Sequence, residues 1–141
     1  MPQIKAIAVL DGEQCKGTVN IVEWGNGVRF DVNLKNLTPG KHGFHIHEAG
    51  NLEDGCKSCC AHFNPLNKEH GGPFELDGKN RHLGDLGNII ADENGNCVQS
   101  IRDKYLQLRG YRYNIIGRSV VIHEKEDDLG RGGNAESKKL V

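Results

Sequence analysis

Histidine side chains at short spacings are the most chemically informative feature of this sequence. His45 and His47 lie two residues apart in a strand-like stretch, so both imidazoles project from one face and Phe44 and Ile46 from the other. Any one of these histidines alone would be read as an ordinary solvated residue. Imidazole suits copper and zinc, however, and a carboxylate is an accepted zinc ligand. The set therefore predicts a metal site, with further candidates at His62, His70, His82, Asp85 and His123.

Most of these candidates lie in or beside stretches that lack any regular spacing. Residues 49–81 show no sustained helical or strand-like period, and a second irregular stretch begins at residue 125. Long loops without secondary structure are uncommon unless a function or a cross-link organises them. We expect His70, His82 and Asp85 to tie the first stretch to the rest of the protein through a metal ion. His123 instead ends a short apolar run, in phase with Val121.

The elements that must position these groups read as short strands. Residues 28–34 alternate between apolar and polar side chains, which is typical of a half-buried strand. Residues 23–27 have the composition of a hairpin turn. No stretch keeps a helical period over three turns. Short strands separated by turns predict an antiparallel sandwich or barrel, with strands at residues 4–10, 28–34, 41–48, 87–91, 98–102, 112–116 and 119–124.

Composition and charge limit the classes of function. The chain has 141 residues and a net charge of −1, which fits one domain and gives no basic footprint for nucleic acid or for an anionic membrane. No apolar run approaches the ~20 residues that a membrane helix needs. Five cysteines, an odd number, cannot all pair within one chain. With no signal-like N-terminus, we expect reduced thiols and a cytoplasmic location.

Several motifs together resemble the copper/zinc superoxide dismutase family. They are GFHIHE at residues 43–48, HFNP at 62–65, HGGP at 70–73, HLGDLGN at 82–88 and the stretch from Gly117 to Gly130, in the family's order. The resemblance implies one domain over residues 1–141. Its implied fold is all-β, an antiparallel Greek-key β-sandwich or barrel with two long functional loops, a metal loop and an electrostatic loop.

The resemblance also implies one copper ion and one zinc ion per subunit. The implied copper ligands are His45, His47, His62 and His123; the implied zinc ligands are His62, His70, His82 and Asp85. His62 would bridge the two ions, and His62 and His123 are the implied catalytic residues. Asp127 matches a carboxylate that hydrogen-bonds histidines of both sites, the alternative being one acid in a solvated charged segment.

The implied function is the dismutation of superoxide to oxygen and hydrogen peroxide, by alternating reduction and reoxidation of the histidine-bound copper. Superoxide is the implied substrate and a homodimer the implied assembly. The alternative is a non-catalytic copper/zinc-binding or copper-delivery domain on the same fold. The four copper-ligand histidines favour the enzyme, because a delivery domain has no need of that set.

Two departures from the family pattern concern the end of the chain and its cysteines. A chain ending at Val141 would lack the family's channel arginine, a cysteine and a final strand, which would slow the reaction and weaken the dimer. Cys56 matches the family's loop cysteine, and Cys59 and Cys60 follow closely. These three could serve copper entry or form a local disulfide, since thiolates favour Cu(I). The alternative is that they are free loop thiols.

Overall fold

The computed structural model describes residues 3–48, 63, 84–110 and 113–123. These residues form seven strands: β1 (Lys5–Asp11), β2 (Lys16–Trp24), β3 (Gly27–Lys35), β4 (Gly40–His47), β5 (Asp85–Ala91), β6 (Cys97–Asp103) and β7 (Ser119–Ile122). The predicted all-β antiparallel class is therefore confirmed. Within these ranges there is no helix long and apolar enough to cross a membrane.

Four strands form an antiparallel sheet in the order β1-β2-β3-β6. The β2–β3 hairpin closes at the pair Trp24 and Gly27, as the turn composition predicts. Gly25 has a φ of 59°, a left-handed conformation that favours glycine in a two-residue turn. β6 lies beside β3 although β4 and β5 intervene in the sequence, so this neighbour is reached by a long crossover and not by a hairpin.

The alternation in β3 places one set of its side chains in the core. Val28, Phe30, Val32 and Leu34 are all buried, while the residues between them face outward. The same core includes Val19 and Ile21 of β2. Burying each large apolar side chain contributes about 1.5–3 kcal/mol relative to leaving it in water. The buried apolar side chains of β3 therefore stabilise the packing of this sheet against its core.

The second sheet has three strands in the order β5-β4-β7, and β4 and β7 pair antiparallel. In β4 both sets of alternate side chains are buried. Phe44 and Ile46 are 0% and 1% exposed, and His45 and His47 are each 0% exposed. The face of β4 that carries the two histidines is therefore as deeply buried as its apolar face, which alternation alone does not predict.

The contact pattern divides the chain into two compact units. The first contains Met1–His42 and Ile89–Ile116, and the second contains Gly43–Asn88 and Gly117–Val141. The four-stranded sheet belongs to the first unit, and the β4–β7 pairing belongs to the second. That residues 1–141 form a single domain stays a prediction.

The strand predicted at residues 112–116 is wrong for residues 113–116. These residues contain only an isolated bridge between Gln107 and Asn114. The Asn114 side chain accepts a hydrogen bond from the Ile116 amide at 2.9 Å and donates one to the Gly110 carbonyl at 3.1 Å. An asparagine that bonds to nearby backbone in this way favours a turn over a strand. β7 also ends at Ile122, two residues before the predicted end.

Candidate metal centre

Adjacent strands β4 and β7 bring three histidines together. His45 lies opposite Val121 in the register, and the amide of His123, just past the end of β7, donates to the Gly43 carbonyl at 2.8 Å. His123 is therefore a diagonal neighbour of His45 on the same face. The ring centroids of His45 and His123 are 4.6 Å apart, and His47 lies 6.4 Å from His45 and 5.9 Å from His123.

The nitrogen atoms of these rings converge on one small volume. One ring nitrogen from each of His45, His47 and His123 can be chosen so that all three lie within 4.8 Å of one another. With metal–nitrogen bonds of about 2.0–2.1 Å, two ligands on opposite sides of an ion are about 4.1 Å apart. A shift of less than about 1 Å per ring therefore places all three nitrogens at bonding distance from one metal ion.

Burial makes these nitrogens costly without an ion. Nδ1 of His45, Nε2 of His47 and Nε2 of His123 are buried and form no hydrogen bond to the described part of the chain, although each residue makes other interactions. A buried polar atom left without a hydrogen bond costs about 1–3 kcal/mol. A bound metal removes that cost, because each nitrogen then donates its lone pair to the ion. The donor set fits copper, which takes imidazole ligands readily.

A backbone hydrogen-bond triangle fixes the surroundings of this cluster. The Ile46 amide donates to Gly84 at 2.8 Å, the Phe63 amide donates to Ile46 at 2.7 Å, and the Gly84 amide donates to Phe63 at 2.8 Å. A Cβ on Gly84 would collide with the Ile46 carbonyl oxygen, so only glycine fits there. Ile46 separates the two β4 histidines, Phe63 follows His62 in the sequence, and Gly84 precedes Asp85. The triangle therefore joins three segments that carry predicted ligands.

The structure tests the predicted site residues unevenly. It brings together His45, His47 and His123. It places Asp85 at the start of β5 with 0% exposure, but within the described residues Asp85 is not part of the three-histidine group. The remaining predicted residues lie outside the described ranges: His62, His70, His82, Asp127, Cys56, Cys59 and Cys60.

Two further residues, Arg118 and His42, were assigned no role from the sequence. Arg118 places its guanidinium 3.9 Å from the centre of the Phe63 ring and donates to the Glu48 carbonyl at 2.9 Å, so it links the end of β4 to Phe63. His42 is buried, and its Nε2 lies 2.7 Å from the Thr38 carbonyl oxygen. His42 therefore has a structural partner. The number of histidines in the sequence alone does not show that His42 lies outside the metal-binding group.

Comparison with known proteins agrees with the geometry. A family model described as copper/zinc superoxide dismutase (SODC) matches residues 15–140. The chain is 56% identical over 137 residues to a superoxide dismutase (Cu-Zn) of Paramecium bursaria Chlorella virus 1, covering 96% of this chain and 71% of that protein. It is 45% identical over 140 residues to superoxide dismutase (Cu-Zn) 2 of Mesembryanthemum crystallinum, covering 98% and 87%.

A solved structure shares the fold. The crystal structure described as that of the clock protein EA4 superposes with a TM-score of 0.89 at 43% sequence identity, covering 96% of this chain and 84% of that one. The fold likeness thus extends over nearly the whole chain.

Proposed function

Because this chain belongs to the copper/zinc superoxide dismutase family, we propose that His45, His47 and His123 hold the copper ion at which superoxide reacts. The reaction is the dismutation of superoxide to oxygen and hydrogen peroxide, and copper and zinc are the cofactors. The observation that carries the assignment is the set of three buried ring nitrogens within 4.8 Å of one another.

The three histidines have distinct tasks in this centre. Copper, when bound, supplies one-electron chemistry by taking an electron from one superoxide and giving it to the next. His45 and His47 are fully buried, so they anchor the ion on its dry side and exclude water there. His123 is partly buried as a residue but its Nε2 is buried, so it would hold the ion from the less deeply buried side of the cluster.

The rest of the ligand set rests on the family motifs and on two structural supports. His62 is assigned as the bridging ligand and His70, His82 and Asp85 as zinc ligands, with His62 and His123 as the catalytic pair and Asp127 orienting histidines of both sites. The supports are the complete burial of Asp85 and the backbone triangle at Phe63 and Gly84. Zinc content measured after Asp85→Ala and His70→Ala should fall from one to well below one per subunit, while a retained full zinc content would refute the assignment.

The activity test compares superoxide decay by the metal-loaded protein, the metal-free protein and two variants. His123→Ala removes a copper ligand and should abolish copper-dependent decay. His42→Gln is the matched control, because its amide can still donate to the Thr38 carbonyl and it lies outside the cluster. Copper bound at normal stoichiometry without decay above free-metal controls would contradict the enzyme and favour copper delivery.

We also propose a homodimer, formed through the outward face of β1. Ile7 and Val9 are 59% and 67% exposed on this strand, which lies at the edge of the four-stranded sheet. Adjacent exposed apolar side chains on a sheet edge favour association. Light scattering should give twice the subunit mass, and Val9→Lys should halve it. Val98→Lys, at an 81% exposed valine on β6, is the control and should leave the mass unchanged. A monomeric wild type at about 100 μM protein would rule the dimer out.

For the three loop cysteines we propose a role in copper entry. Cys56, Cys59 and Cys60 include a Cys-x-x-Cys spacing, which suits a soft ion such as Cu(I). The test counts reactive thiols in a Cys15→Ser, Cys97→Ala background, with and without copper. Fewer than three reactive thiols in the copper-loaded form supports the role. Three in both forms would leave them as free loop thiols.

A cytoplasmic location is our last proposal for this chain. The number of cysteines is odd, and Cys15 and Cys97 are free thiols. Burial raises the pKa of both thiols, which keeps them protonated and slow to oxidise. Alkylation in denaturant, of protein taken directly from its source cells, should label both residues, and recovery mainly from the surrounding medium would contradict the proposal.

A further inference from the structure

A cluster of positive charge lies on the outward face of the four-stranded sheet. Arg29 of β3 is directly opposite Arg102 of β6 in the antiparallel register. Both point outward, because their neighbour Phe30 points into the core. Side chains directly opposite in an antiparallel pair have Cβ atoms about 4.5–5.5 Å apart, and like charges placed there destabilise the sheet. An arginine pair of this kind needs a compensating negative charge.

Arg102 is held in place without a negative partner. Its guanidinium lies 4.4 Å from the centre of the Trp24 ring, and Trp24 is 46% exposed. Gly27, which pairs with Trp24, has no side chain to stand between the two. With respect to the described residues, Arg102 makes no hydrogen bond or ion pair. Stacking on the ring fixes the plane of the guanidinium and leaves its N–H groups available to an acceptor.

Arg29 is oriented by Asp31, whose carboxylate bonds to Arg29 and Ser100 and, within the described residues, not to Arg102. The Arg29 Nε and Nη2 atoms donate to Asp31 at 3.0 Å each, and the Ser100 hydroxyl donates to the same carboxylate at 2.8 Å. These bonds leave Arg29 Nη1 directed to other acceptors. Lys104 adds a third cation to this corner of the sheet, since its Cα lies next to Gly27 and its ammonium lies 5.3 Å from the centre of the Tyr105 ring. Arg29, Arg102 and Lys104 thus carry three positive charges here, and Asp31 balances one of them.

We propose that Arg102, Arg29 and Lys104 form a binding site for a phosphate-type oxyanion beside Trp24. A dianionic tetrahedral group matches the excess charge of this corner, and guanidinium groups bind such oxygens through paired, charge-assisted hydrogen bonds. The anion would also relieve the repulsion between the two opposed arginines. The ligand is inorganic phosphate or a phosphate monoester, and the two share this chemistry. The site is independent of superoxide dismutation.

Trp24 provides a direct reporter of binding, because it is the only tryptophan in the chain. The copper- and zinc-loaded protein is titrated with inorganic phosphate, and separately with O-phosphoserine, at constant ionic strength balanced by chloride. Saturable changes in Trp24 fluorescence, matched by calorimetry, are expected for both anions. Tighter binding of the monoester would identify the ligand as a phosphorylated molecule, and equal affinity would identify the free ion.

Removing one positive charge at either of two places on the same sheet face distinguishes a specific anion site from a general attraction of anions to a positively charged surface. Arg102→Gln should weaken binding by about 10-fold or more, because a hydrogen bond to a charged group is lost. Arg102→Lys, which keeps the charge without the planar fork, should give an intermediate loss and controls for altered folding. Lys35→Gln removes one outward cation at the far end of β3 and should change the affinity less than about 2-fold. Equal losses for Arg102→Gln and Lys35→Gln, or a fluorescence change that rises linearly with phosphate without saturating, would overturn the proposal.

Discussion

Strands β3 and β4 both alternate apolar with polar side chains, but their polar residues meet different surroundings. In β3 the polar set faces outward, where Arg29 and Asp31 form an ion pair. In β4 the alternate residues His45 and His47 are as deeply buried as Phe44 and Ile46. Buried polar atoms require partners, so a buried polar side chain in β4 needs a bonding partner inside the protein or a bound ion, whereas an outward-facing one in β3 is matched by water or a surface charge. The same spacing thus supplies a solvent-facing ion pair in one strand and a candidate metal site in the other.

The largest effect that separates the two strands should come from removing a polar side chain in each. His45→Ala should lower superoxide decay by more than about 100-fold, since even residues that only support metal ligands cost 10–100-fold. Arg29→Ala should leave decay and copper content within about 2-fold of the wild type. The measurements are pulse radiolysis and copper analysis. A His45→Ala protein that keeps full copper and activity would break the contrast between the strands.

A second comparison removes an apolar side chain from each strand. Phe30 and Phe44 are both 0% exposed, so each change to alanine should destabilise the metal-free protein by about 3–5 kcal/mol. Phe44→Ala should in addition weaken copper binding, because Phe44 adjoins His45, whereas Phe30→Ala should spare it. Urea unfolding and copper titration measure the two effects. Equal loss of copper affinity in both variants would show that Phe44 is no more important for copper binding than Phe30.

A smaller effect is expected at the backbone triangle beside β4. Gly84→Ala forces a Cβ against the Ile46 carbonyl oxygen, so the Ile46 and Phe63 amides should exchange faster and stability should fall by about 1–3 kcal/mol. Gly12→Ala is the control, since a Cβ there would make only an ordinary contact 3.5 Å from the Cys15 carbonyl. Amide hydrogen exchange resolves the two variants. Unchanged protection at Ile46 in Gly84→Ala would show that the triangle is not needed.

The smallest effect concerns the ion pair on the outward face of β3. Hydrogen bonds from Arg29 and from Ser100 hold the pKa of the Asp31 carboxyl below its ordinary value of 3.8. The unfolded chain therefore binds more protons near that pH, and the stabilisation is complete above pH 3.8 and is lost as the pH falls through the lower folded pKa. Asp31→Asn should flatten the pH dependence of urea unfolding between pH 5 and pH 2 by a small amount. An identical slope in the variant would show that the pair contributes nothing.

The sequence predicted β3 and the histidine spacing of β4 well, because both depend on local alternation. It placed β3 within one residue at each end, and it put His123 in the correct phase with Val121. It could not give the depth of His45 and His47, because burial depends on what packs over the strand. The pairing of β3 with β6 could not be predicted either, because it joins segments that are far apart in the sequence.

The errors have local physical causes. The strand predicted at residues 112–116 fails where the Asn114 side chain bonds to nearby backbone and turns the chain. His42 was given no role from the sequence, and the structure places its ring nitrogen 2.7 Å from the Thr38 carbonyl oxygen. In both cases a polar side chain found a partner a few residues away, which neither composition nor spacing reports.

The triangle formed by Ile46, Phe63 and Gly84 also has a consequence for the order of folding. The chain that leaves β4 and returns at β5 is fastened at Phe63 as well as at its two ends. The entropy cost of closing a loop grows with its length, so an intermediate anchor allows two short closures in succession in place of one long one. Once the Phe63 amide has bonded to Ile46 of β4, fewer residues separate Gly84 from the nearest anchored point of the chain. Asp85 then reaches its buried position by a mostly local step.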